Sequence, residues 1–150
     1  MHPSILCITS SALLVPFSFY MNNVVRNYVM DRSCIVHNQL EDVLGMILLA
    51  AIFASQWFWS NPEHNGLSHK VDSIVAKLTI GSLLFYTMCY KNLLDDWLCI
   101  SSVVTMFFFA GMSHYESSKE WCSNSHLFWH GGLHLIGSCC AIYAFTPLKI

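Results

Sequence analysis

Charge is scarce in this chain. Of its 150 residues only 11% are charged, where soluble domains carry about 25%. That excludes an ordinary water-soluble domain. There is no run of basic residues and the formal net charge is −2, so the electrostatic footprint of a nucleic-acid binder is missing and no such partner is expected. There is also no CxxC pair. The seven cysteines, at 7, 34, 89, 99, 122, 139 and 140, are odd in number. Most sit in apolar segments, where a thiol behaves as a small hydrophobe, and no disulfide framework is expected. No internal repeat, low-complexity tract or linker divides the chain. The first apolar run has no Lys or Arg before it and no small-x-small pattern after it, so it reads as a membrane span and not as a cleaved leader.

What is abundant is apolar surface: 55% of the residues, with a mean hydropathy of +0.49. Apolar runs at 5–21, 43–59, 71–90, 93–112 and 126–145 predict five spans in a single integral membrane domain, an all-α polytopic transmembrane bundle. The first run is short, and Pro16 predicts a kink. Asn22 to Asp42 reads as a loop or an interfacial helix. Trp57 and Trp59 close the second run as an interfacial aromatic belt. Ser60 to Gly66 reads as a turn, Ser68 as the next N-cap, and Asp72 as a charge in the first turn. Lys77 snorkels or pairs with an acid. The short turn at Lys91-Asn92 predicts that the third and fourth spans are antiparallel neighbours. Asp95 and Asp96 read as a capping cluster, and Ser113 to Ser125, with His114, as a polar loop.

The last run holds the unusual feature. His126, His130 and His134 recur every four residues in an otherwise apolar segment. On a helix they share one face and extend over about 12 Å. Imidazoles in hydrocarbon are costly unless each finds a partner. With five spans, Ser60, His64, His69, Asp72, His114, His126 and His130 all fall at one membrane face, with His134 deeper. Lys70, Lys119 and Lys77 lie on that side, against Arg26, Arg32, Lys91 and Lys149 on the other. The positive-inside rule then places the histidine-rich face in the lumen or outside the cell, and the C-terminus in the cytosol.

An i, i+4 histidine pair can hold one ion. His126 and His130, with His64 or His69 from the adjoining loop, would give three ligands and one open position, the pattern of a catalytic zinc. Asp72 could orient a ligand or accept a proton from the metal water, and Ser60 could bond an oxyanion. The competing reading of the same residues is plain. The histidines bond loop carbonyls, Asp72 offsets a helix dipole, Ser60 ends a turn, and His134 makes an interhelical hydrogen bond.

The segment His126-Leu-Phe-Trp-His130 resembles the last-helix motif of the membrane hydrolase superfamily that includes alkaline ceramidases, adiponectin receptors and hemolysin III-like proteins. Ser60-Asn-Pro-Glu-His64, Asp72 and the His126/His130 pair follow in the order that superfamily uses. The resemblance implies zinc held by His64, His126 and His130, with Ser60 and Asp72 at the reacting centre. The family has seven helices where five are read here. The function this predicts is a zinc-dependent integral membrane hydrolase acting on a lipid amide or ester, with membrane lipids as partners. The alternative is a non-enzymatic multi-pass protein whose polar cluster is structural or binds a partner. Haem held between histidines of two spans is a third possibility. Five short spans enclose little volume, so a second copy of the chain could complete a cavity.

Overall fold

The computed structural model describes residues 2–30, 39–92 and 96–146. Arg32, Asp95 and Lys149 lie outside them. The fold is all-α, with no strand among the described residues. Helix α1 (Ile5–Ser10) passes through a 3-10 turn (Ser11–Leu13) into α2 (Leu14–Met30). Helix α3 is Gln39–Ser60 and α4 is Leu67–Phe85, which ends in a π turn at Tyr86–Tyr90. Helices α5 (Trp97–Lys119) and α6 (Asn124–Phe145) complete the chain. The 3-10 turn lies where Pro16 withdraws an N–H from the residue four back, Ala12.

Four helices are long and apolar enough to cross a membrane: Ile5–Arg26, Gln39–Ser60, Leu67–Tyr90 and Trp97–Lys119. The fifth predicted span, α6, matches them in length at 22 residues, but its histidines reduce its hydropathy. It runs through the middle of the bundle, packed against α1, α2, α4 and α5.

Several helix ends differ from the sequence reading. Helix α2 continues to Met30 and α5 to Lys119, so His114 is helical and not in a loop. Hydropathy marks where hydrocarbon ends, whereas backbone hydrogen bonding carries a helix beyond it. Helix α4 starts earlier than expected, with Gly66 at the N-cap and Ser68 inside the helix. Asp72 is therefore past the first turn. Asp96 does cap α5, accepting from the N–H groups of Leu98 and Cys99 at 2.9 and 3.0 Å. Trp57 faces outward as a belt residue does, but Trp59 is only 1% exposed and belongs to the core.

The helices pair as α3 with α4 and α5 with α6, and α1 and α2 pack across α3 and α6. Against expectation, α4 and α5 scarcely touch. Close approach is secured elsewhere by small residues: a methyl group added at Gly132 would collide with the Phe109 ring, and one at Gly45 with the ring of Tyr20.

A polar clasp closes the end of the bundle remote from the histidines. Lys91 Nζ lies 3.4 Å from Glu41 Oε1 and donates to the Thr146 carbonyl at 2.8 Å. Tyr86 donates to the same Glu41 oxygen at 2.8 Å, and Tyr20 to Asp42 at 3.0 Å. Asn23 reaches the Phe145 carbonyl at 2.6 Å. The clasp joins α2, α3, the end of α4 and the end of α6 around a core of Leu44, Leu48, Leu83 and Phe145. Removing one member of a buried ion pair strands the other, at about 3 kcal/mol. Lys91→Met should therefore lower the thermal midpoint in detergent by several degrees. An unchanged midpoint would show that the clasp contributes nothing.

Candidate functional site

The opposite end is built from the close of α3, the start of α4, the close of α5 and the start of α6. Two short connections shape it in the same way. Asn65, in the left-handed region at φ 63°, donates its N–H to His69 Nδ1 at 3.2 Å. Cys122, at φ 59°, donates its N–H to His126 Nδ1, also at 3.2 Å. Each histidine lies four residues after its donor and accepts as its helix begins. Asparagine adopts this backbone region readily, whereas cysteine does so at a cost. Ser123 adds an ordinary N-cap bond to the His126 N–H at 3.2 Å.

These bonds fix proton positions. A neutral imidazole carries one N–H. An Nδ1 that accepts from a backbone N–H is bare, so in His69 and His126 the proton sits on Nε2. His134 Nδ1 pairs with the Thr9 hydroxyl at 3.1 Å, and the same hydroxyl lies 3.3 Å from the Leu6 carbonyl. This is the interhelical bond expected of His134, made to α1. His130 Nδ1 pairs with Ser113 of α5 at 2.9 Å.

Trp121 sits at the centre of the rings. Its centroid is 4.5 Å from His64 and 5.0 Å from both His69 and His126. Phe58 stacks on His69 at 5.0 Å, and Trp59 lies 5.0 Å from His130. Nothing in the spacing of the sequence pointed to Trp121. Its place follows from the turn at Cys122.

Below these rings, in the gap between α4 and α5, is a cavity of about 370 Å³. Its polar end presents His69, Asp72, Lys77, His126 and His130, and much of its wall is apolar, including Ile80, Leu83, Val103, Met106 and Leu133. Four of the six predicted site residues, Asp72, His69, His126 and His130, thus open on one space. Ser60 and His64 do not line it. Ser60 is exposed and donates to the Trp57 carbonyl at 2.9 Å within the last turn of α3. His64 is exposed and lies beside Asn65 Nδ2 at 3.3 Å. The chain leaves the helix at Ser60, ahead of Pro62, and carries His64 outside the cavity.

The fit to zinc follows from the proton positions. Ligation through Nε2 needs the proton on Nδ1, the reverse of what the loop bonds impose on His69 and His126. Among the described residues no three His, Cys, Asp or Glu side chains are placed to hold one ion. Zinc ligation through Nε2 of His69 or His126 would need these loop bonds to be released.

Long-range proton–nitrogen spectra of the imidazoles read these protons directly. His69 and His126 should both show the Nε2–H form. An Nδ1–H signal from His126 would overturn the assignment. The chain matches no protein-family model, no curated protein and no solved structure.

Proposed function

We propose that this chain is a multi-pass membrane protein that holds a single-chain amphipathic lipid in its interior cavity. The headgroup lies against the histidine–aspartate end and the chain follows the apolar wall. One observation carries this reading: Asp72 and Lys77 of α4 and the imidazoles of α6 open on a cavity whose remaining wall is largely apolar. A site of this kind orients an amphiphile by a few polar groups and holds it by its apolar part. Its volume of about 370 Å³ corresponds, at about 30 Å³ per water-sized group, to about a dozen heavy atoms. That suits a headgroup and the first methylenes of one chain.

The test is quenching of tryptophan fluorescence by a monoacylglycerol with a brominated chain, using the purified full chain in detergent. Saturable quenching is expected, and Ala110→Phe, which fills the cavity from α5, should weaken it about tenfold or more. Quenching that never saturates and ignores Ala110→Phe would end the proposal.

A second reading is favoured by the convergence of Asp72, His69, His126 and His130 on that same space. It is the zinc-dependent hydrolysis of a lipid amide or ester. It requires the imidazoles of His69 and His126 to release their loop bonds. Stoichiometric zinc in the purified protein, lost in His126→Ala and His130→Ala, is the expected result. A folded, metal-free protein that binds lipid without turning it over leaves the binding reading alone.

A further inference from the structure

Two charges face the cavity without partners. Asp72 is half-buried and Lys77 is exposed, and among the described residues neither forms an ion pair or hydrogen bond. They are five residues apart on α4, so they are offset by about 7.5 Å along the helix axis. At the remote end Glu41, Asp42 and Lys91 have found partners in the clasp. At this end the protein leaves one anion and one cation open on the same space, in a segment apolar enough to cross a membrane. Unpaired charges are expensive there, and they persist where something binds them.

The neutral polar groups sharpen the pattern. His69 and His126 carry their protons on Nε2, because Nδ1 of each accepts a loop N–H. The Nε2–H groups of these two cavity-lining histidines accompany the Lys77 ammonium, a set that matches several acceptor oxygens. The carboxylate of Asp72 would repel a headgroup that is only anionic. Phe58 and Trp121 also line the cavity, and aromatic rings attract an ammonium.

We infer that the cavity selects a zwitterionic headgroup, with anionic phosphate oxygens on Lys77 and the N–H donors and an ammonium between Asp72 and the aromatic rings. The ligand class is a single-chain phospholipid carrying a phosphocholine or phosphoethanolamine head. This inference rests on the reading of the cavity as a lipid site. His114 and His130 also open on the cavity and His134 lines its depth, and among the described residues none of them pairs with Asp72 or Lys77.

The experiment measures quenching with four brominated single-chain probes on the full chain: a lysophosphatidylcholine, a lysophosphatidic acid, an alkyl trimethylammonium and a monoacylglycerol. The zwitterion should bind tightest. Lys77→Met should weaken it about tenfold while sparing the trimethylammonium probe, since a hydrogen-bonded charge contact is of that size. Asp72→Asn should remove the preference for the zwitterion over lysophosphatidic acid. Should Asp72→Asn fail to fold, Lys77→Met with the same four probes decides the matter. Equal binding of the zwitterion and the uncharged monoacylglycerol overturns the headgroup inference and leaves the lipid site standing. Failure of all four probes to bind overturns both. Tightest binding by lysophosphatidic acid overturns the role given to Asp72 and the rings.

Discussion

An imidazole inside an apolar helix has to be satisfied by something, and this bundle is arranged around that requirement. Helix α6 carries three of them on one face. Each is satisfied by a different element: His126 by the loop at Cys122, His130 by Ser113 of α5, and His134 by Thr9 of α1. The row therefore ties the central helix to its surroundings by directional bonds along much of its first half. Dispersion and small-residue contacts supply the close packing, but they do not specify register as a hydrogen bond does.

The remaining half of α6 is anchored differently. Its last carbonyls receive Lys91 and Asn23, and the acidic start of α3 receives Lys91, Tyr86 and Tyr20. A cation at a helix C-terminus and carboxylates at a helix N-terminus both complement the backbone dipoles. One end of the bundle is thus closed by pairing its charges. The other is left open, with α4 and α5 apart and the charges of α4 unpaired. The division of labour is unequal by design of the sequence: the clasp holds the helices, and the cavity is what they hold.

Much of this was legible. The length and hydropathy of the apolar runs predict the helical bundle, and the fourfold spacing predicts the histidine row. Antiparallel threading then brings His69, Asp72, His126 and His130 to one end. What stayed hidden depended on backbone detail. Ser60 and His64 look equivalent to the other candidates until the chain leaves α3 at Ser60 and carries both outside the cavity. Ser68 is a better capping residue than Gly66 by propensity, yet the helix begins at Leu67, because the turn from Glu63 delivers Gly66 to that position. The separation of α4 from α5 could not be read from the short link between them. Their apolar faces pack on α3 and α6 instead. The protons of the imidazoles depended on left-handed residues that no local pattern announces.

That last point reaches beyond geometry. Cys122 holds an unfavourable backbone angle, and the bond its amide makes is the one that keeps His126 Nδ1 bare. Torsion at one residue and tautomer at another are therefore a single variable. Relaxing Cys122 into ordinary backbone space would free the ring to exchange which nitrogen bears hydrogen, turning a donor toward the cavity into a lone pair. A four-residue connection ahead of α6 thus sets the chemical character of a side chain inside the helix.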